Sequence, residues 1–223
     1  SSMAFGQFVA VRGTSRESRR VQSGYERVLC RQAGKSKEWK RGRARVLCMS
    51  GVNGGIDYEI ELSSLPPEIA ERVKYVQGGP DSPTLLIEAA HAISECRLEA
   101  TIPVLVDMLG FNNPIAANIA IDALIREGER AIPSLLLGVG AFNYAVNAYA
   151  LRALGRIGDA RVLDVCVECA KTAPIPNVRR AAVKAIGMLR YEQGPELTSS
   201  FELLLELTRD RDWSVRYSSV AAL

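Results

Sequence analysis

Residues 142–161 read Phe142-Asn143-Tyr144-Ala145-Val146-Asn147-Ala148-Tyr149-Ala150-Leu151-Arg152-Ala153-Leu154-Gly155-Arg156-Ile157-Gly158-Asp159-Ala160-Arg161. Within this stretch Val146, Ala150, Ala153, Leu154 and Ile157 fall at i, i+4, i+7, i+8 and i+11, one apolar stripe along about three turns of α-helix. Asn143 carries an N-cap side chain, and Gly158 tolerates the left-handed backbone on which helices stop. A single helix cannot cover its own stripe, so the cover must come from elsewhere in the chain.

The rest of the sequence supplies it by repetition. Ile102-Pro103-Val104-Leu105 recurs as Ile132-Pro133-Ser134-Leu135, and Ala120, Ala123, Leu124 and Gly128 fall on Ala150, Ala153, Leu154 and Gly158, thirty residues on. Val178-Arg179-Arg180-Ala181-Ala182-Val183 and Val215-Arg216-Tyr217-Ser218-Ser219-Val220 continue the frame, and Thr84 to Ile93 starts it. Shorter apolar helices are expected over 102–109, 132–139, 162–170 and 200–208, ahead of the longer ones. Four or five such helix pairs, none able to bury its apolar face alone, must stack into an all-α solenoid whose second helices line one curved surface. Asn113, Asn143 and Asp212 are the expected caps of those second helices.

Composition narrows the chemistry. The 223 residues are 48% hydrophobic and 24% charged, which suits a folded globular chain. Charge is split unevenly: residues 1–50 carry twelve Lys and Arg against three acids, net +9, while the remainder carries 16 against 22, net −6. No apolar run is long enough to span a membrane, and five scattered cysteines argue against a disulfide framework. The single histidine, His91, excludes two-histidine metal sites, and no metal is expected. Cys166-x-x-Cys169 lies inside an apolar helix with no second pair, which suits core packing. Phosphate-binding and nucleophile-elbow motifs are absent too, so any chemistry must be shared with a substrate or partner.

The stretch 142–161, taken with Asn177-Val178-Arg179-Arg180-Ala181-Ala182 and Asp212-Trp213-Ser214-Val215-Arg216-Tyr217, resembles the HEAT-like repeats of the phycobilin lyases, and within them the F-type subunit. The resemblance covers roughly residues 83–223. It implies a HEAT-like α-solenoid that pairs with an E-type subunit and helps attach an open-chain tetrapyrrole to a cysteine of a phycobiliprotein. The nucleophile then belongs to the acceptor, so the absence of a triad or metal site here is no objection, and no residue is assigned a catalytic role. It also implies no tightly bound cofactor, the bilin being a transient substrate, and a setting in cyanobacterial cytosol or plastid stroma. A non-catalytic phycobiliprotein chaperone or adaptor, or a general HEAT-repeat scaffold, would use the same surface.

A bilin offers two carboxylates and a flat conjugated system, so its site calls for arginines, aromatic faces and short polar groups. Asn143, Tyr144, Arg152, Arg179, Arg180, Trp213, Arg216 and Tyr217 are the candidates, all on or next to successive second helices. Each has a structural alternative. Asn143 suits a cap, Arg179, Arg216 and Arg156 suit a ladder of ion pairs between repeats, and Trp213 suits a staple on its helix.

Residues 1–80 form an extension that the resemblance does not cover. Arg43 to Cys48, an Asn53-Gly54 turn and the alternation Ile56, Tyr58, Ile60, Leu62 suggest a β-hairpin, followed by a short helix over 67–76. Gly78 to Pro83 would separate this small basic α/β segment from the solenoid beginning at residue 83. The basic residues suit docking to an acidic protein better than nucleic acid, for which no motif is present.

Overall fold

The computed structural model describes residues 56, 58, 60–191 and 194–223. Ten α-helices follow one another among them: α1 (Pro67–Gln77), α2 (Pro83–Cys96), α3 (Ile102–Met108), α4 (Pro114–Glu127), α5 (Ile132–Val139), α6 (Tyr144–Ile157), α7 (Leu163–Thr172), α8 (Pro176–Met188), α9 (Pro195–Leu207) and α10 (Trp213–Ala222). They form five antiparallel pairs, each odd-numbered helix packed on the even-numbered one after it. None is long and apolar enough to cross a membrane.

Local chemistry sets the boundaries. Proline, whose fixed φ suits the first turn and whose missing N–H costs nothing there, opens α1, α2, α4, α8 and α9. Asn113, Asn143 and Asp212 cap α4, α6 and α10 by accepting from backbone amides one or two residues into the helix. Gly158 ends α6 at φ 76°, in the left-handed region, while its N–H returns to the Leu154 carbonyl.

The same caps lock one pair onto the previous one. Asn113 Nδ2 donates to the Pro83 carbonyl at 3.3 Å and Asn143 Nδ2 to the Gly110 carbonyl at 3.2 Å. Inside its own pair, buried Asn147 donates to the carbonyls of Gly138 and Ala141, satisfying the end of α5. Ion pairs add rungs at the same spacing: Arg156 to Asp122, Arg161 to Glu129 and Arg179 to Asp210.

Second helices pack closely along the whole row, whereas close packing between first helices is confined to the first three pairs. The tighter row is the inner one, so α2, α4, α6, α8 and α10 line the concave side. Small residues allow this approach. A Cβ on Gly155 of α6 would lie 2.7 Å from the Cα of Ala185 on α8.

The solenoid starts earlier than residue 83. Helix α1, expected as part of the extension, packs on α2 as the first helix of the first pair. Its Ala70, Val73 and Val76 share one core with Leu86, Ala89 and Ile93, and Ile56 and Leu65 join that core. The first arm and turn of the expected β-hairpin lie outside the described residues. Of its second arm, the described residues Ile56, Tyr58 and Ile60 carry no regular structure, and Leu62–Ser64 is a 3-10 turn, so the structure gives the hairpin no support. The last first helix begins at Pro195, five residues ahead of the expected start, because Pro195 can open a helix.

Candidate functional site

On the concave side a groove of about 350 Å³ runs between α6 and α8. Helix α6 contributes Ala145, Ala148, Tyr149 and Arg152, and α8 contributes Asn177, Arg180, Ala181 and Lys184. These sets follow from helical spacing, since residues three or four apart share a face. Three alanines leave room for a flat ligand against the backbone. Three cations rise from the walls, and no carboxylate among the described residues lines the groove.

The cations are partly held in place. The Arg152 guanidinium carbon sits 5.4 Å from the centre of the Tyr149 ring, a cation–π contact that keeps the arginine over the groove. Arg180 Nη2 donates to Asn177 Oδ1 at 2.6 Å, leaving its other donors for a ligand. A second groove, about 440 Å³ between α1 and α2, has a different character. It carries Glu68 and Glu71, and its Arg72 pairs with Glu88 at 3.7 Å, a poor setting for an anion.

Of the expected site residues, the structure brings Arg152 and Arg180 together. Tyr217 holds on α10 the position that Arg180 holds on α8, and like Trp213 it is 69% exposed. Tyr144, half exposed, is the first residue of α6 and is not among the residues that line the groove. Asn143 is a cap that also bridges to Gly110. Tyr149, Asn177 and Lys184 were not among the expected residues, although their i+3 and i+4 spacing to Arg152 and Arg180 carried the signal.

Arg179 does not belong to the groove. It is 2% exposed and turned toward the next pair, where Nε and Nη2 grip the Asp210 carboxylate at 3.2 and 3.0 Å. Nη1 meanwhile donates to the carbonyls of Ala173 and Pro174. Burial pushes the Asp210 carboxyl up, but hydrogen bonds from Arg179 and the Asp212 amide outweigh it and hold the group below its usual range. One residue of helix turns the side chain by about 100°, so neighbours 179 and 180 end on different flanks. Arg216 is exposed, and its Nη1 donates to the carbonyls of Asp210 and Arg211 on its own loop. Arg156 is tied to Asp122 at 2.7 Å. Cys166 and Cys169 are fully buried, and burial pushes the Cys166 thiol up to about 12, which leaves it inert.

Known proteins share this architecture and sequence. Residues 132–223, which contain the whole groove, match the HEAT repeat family model. The phycocyanobilin lyase subunit beta of Nostoc sp. is 38% identical over 149 residues, covering 64% of this chain and 74% of the relative. The phycocyanin alpha phycocyanobilin lyase CpcF of Synechocystis sp. is 35% identical over 167 residues, 72% of this chain and 78% of its own length. The chain belongs to the F-type phycobilin lyase family. A solved complex of CpcE and CpcF of phycocyanin lyase from Nostoc sp. holds a chain 41% identical to this one. That match has a TM-score of 0.51 and covers 55% of this chain and 76% of the other.

Proposed function

We propose that this chain is the F-type subunit of a two-subunit bilin lyase, working with an E-type subunit on a phycobiliprotein acceptor in the cytosol or stroma. The observation that carries the reading is the α6–α8 groove on the concave face, with three cations, an aromatic ring and no carboxylate among the described residues that line it. Arg152, Arg180 and Lys184 neutralise the two propionates of an open-chain tetrapyrrole, and its flat rings lie over Ala145, Ala148 and Ala181. The acceptor's cysteine thiolate adds to an exocyclic carbon–carbon double bond of the bilin. A C–S bond forms, the neighbouring carbon takes a proton, and nothing leaves. Holding the bilin extended and facing the cysteine makes that addition effectively intramolecular. The bilin is a transient substrate and not a resident cofactor.

Coexpression with an E-type subunit, a phycocyanin α acceptor and a bilin source, followed by fluorescence of covalent adducts on a denaturing gel, tests the reading. Arg152→Glu and Arg180→Glu should each lower attachment by about 10- to 100-fold, since each loses charge-assisted hydrogen bonds to a propionate and adds repulsion. Attachment at the wild-type rate in the double variant refutes the groove. The exposed aromatics Trp213 and Tyr217 favour a second reading, a chaperone or adaptor that holds the acceptor itself. In that case the chain raises the soluble yield of an acceptor whose target cysteine is changed to Ala.

A further inference from the structure

The two arginines of the α6–α8 groove are braced in the same way. Arg152 carries its guanidinium over the ring of Tyr149, three residues earlier on α6, with 5.4 Å between the guanidinium carbon and the ring centre. Arg180 gives one N–H to Asn177 Oδ1 at 2.6 Å, again from three residues earlier, on α8. Side chains at that spacing are neighbours on a helix surface, so each brace acts along the wall on which its arginine stands. Neither contact involves an acid. Among the described residues Arg152, Arg180 and Lys184 form no ion pair, whereas Arg156, one turn beyond Arg152, is closed by Asp122, and Arg179, next to Arg180, by Asp210.

The braces are not part of the repeat. Val146 of α6 and Val178 of α8 hold the same place in the frame, so Tyr149 and Arg152 correspond to Ala181 and Lys184, and Asn177 and Arg180 to Ala145 and Ala148. Neither pair recurs on α4 or α10, where Arg152 gives way to Asp122 and Ala221, and Arg180 to Asn118 and Tyr217. A feature that serves the stack recurs at repeat spacing, as the bridging caps Asn113 and Asn143 do. Two braces that occur once each, on the two walls of one groove and each with alanine at its own place on the other wall, answer to a ligand instead. A guanidinium already held in place loses little rotamer freedom when a carboxylate arrives. The ring contact also uses no N–H, which leaves the two-pronged donor edges of Arg152 for that carboxylate.

We propose that Tyr149 and Asn177 are positioning residues that set Arg152 and Arg180 as two separate carboxylate grips on opposite walls, so that the groove selects a flat ligand carrying two carboxylates, one for each arginine. The inference rests on the bilin reading of the groove and adds which residues aim it and what it demands of the ligand. Lys184, with no brace among the described residues, supplies a movable point charge between them.

Absorbance titration of phycocyanobilin, and of its dimethyl ester, into the complex of this chain with an E-type subunit tests the proposal. Arg152→Ala and Arg180→Ala should each weaken binding of the free acid by about 10-fold or more, and the double variant by about the product, while binding of the ester stays nearly constant. Tyr149→Leu and Asn177→Ala should each weaken binding of the acid by about 2- to 5-fold, and Tyr149→Phe should recover most of the first loss because it keeps the ring face. Once its arginine is gone a brace has nothing to hold. Tyr149→Leu should therefore change nothing further in Arg152→Ala, nor Asn177→Ala in Arg180→Ala. Asn177 is exposed, and leucine at 149 keeps an apolar side chain against the core, so melts of the variants should stay close to wild type. Equal loss from a brace variant with and without its arginine means that the brace touches the ligand itself, and overturns the positioning role. Wild-type affinity in both brace variants while the arginine variants fail overturns it too and leaves the groove standing. A double arginine variant no weaker than either single one overturns the two grips. Acid and ester bound alike, with both arginine variants silent, removes the groove and the inference with it.

Discussion

Replacing Arg179 by Ala separates a stacking role from a ligand role. The side chain is 2% exposed and makes four hydrogen bonds, two to the Asp210 carboxylate and two to the carbonyls of Ala173 and Pro174. The Asp210 side chain is itself only 11% exposed, so the variant leaves a carboxylate held chiefly by the Asp212 amide at 2.7 Å. Breaking a buried pair from one side costs about 3–5 kcal/mol. In a chain of this size each kcal/mol lowers the melting temperature by about 2–4 °C, so the drop should be about 6–20 °C. Because solenoid stability is a sum over neighbouring repeats, the loss should be local. Hydrogen exchange should accelerate in α9 and α10 before α3 to α6. Arg216→Ala supplies the internal control, since it removes only bonds to carbonyls that water can replace and should cost less than about 1 kcal/mol. Removing Asp210 as well should recover part of the loss, because the double variant buries no lone charge. Thermal melts of the four proteins, with attachment assays at low temperature on the folded fraction, decide the matter. If Arg179→Ala melts within about 2 °C of wild type while attachment collapses, the residue contacts ligand and its assignment to the stack is wrong.

Asp107 on α3 carries a buried Oδ1 with no hydrogen-bond partner among the described residues, and burial pushes its carboxyl up from 3.8 to about 6. The folded state therefore keeps a proton that the unfolded chain has released, and stability should fall as pH rises from about 4 to about 6, then level off. The two-unit shift corresponds to about 3 kcal/mol. Asp107→Asn should remove that slope and raise stability at pH 8 by about 2 kcal/mol, the new amide's unmade bond taking back about 1; urea melts at pH 4.5 and 8 check it, and an unchanged slope refutes it. Gly155→Val should destabilise by more than about 2 kcal/mol, because the new Cβ meets the Ala185 backbone at 2.7 Å. Gly194→Ala, where no described residue lies within 4 Å, should stay within about 0.5 kcal/mol, and equal melts for the two would refute the close packing of α6 on α8.

The stripe of Val146, Ala150, Ala153, Leu154 and Ile157, the caps at Asn113, Asn143 and Asp212, and the thirty-residue recurrence were legible in the sequence because each depends on chemistry within a few residues. Those local rules determined the helices, their pairing and the all-α solenoid, and with the resemblance they pointed to the family. The affiliation of α1 was not legible. A helix of eleven residues with a glycine-rich turn after it reads alike as an appendage or as a first repeat, and only the core shared with Leu86 and Ile93 decides. Tertiary structure also chose among the arginines. Arg179 and Arg180 are adjacent and chemically identical, yet one lies under the following pair and the other beside Tyr149, Arg152 and Lys184. Periodicity states that the two point along different flanks of α8. Which flank is covered depends on how the pairs rotate against one another, and that rotation is set by contacts such as Gly155 on Ala185, between residues thirty positions apart.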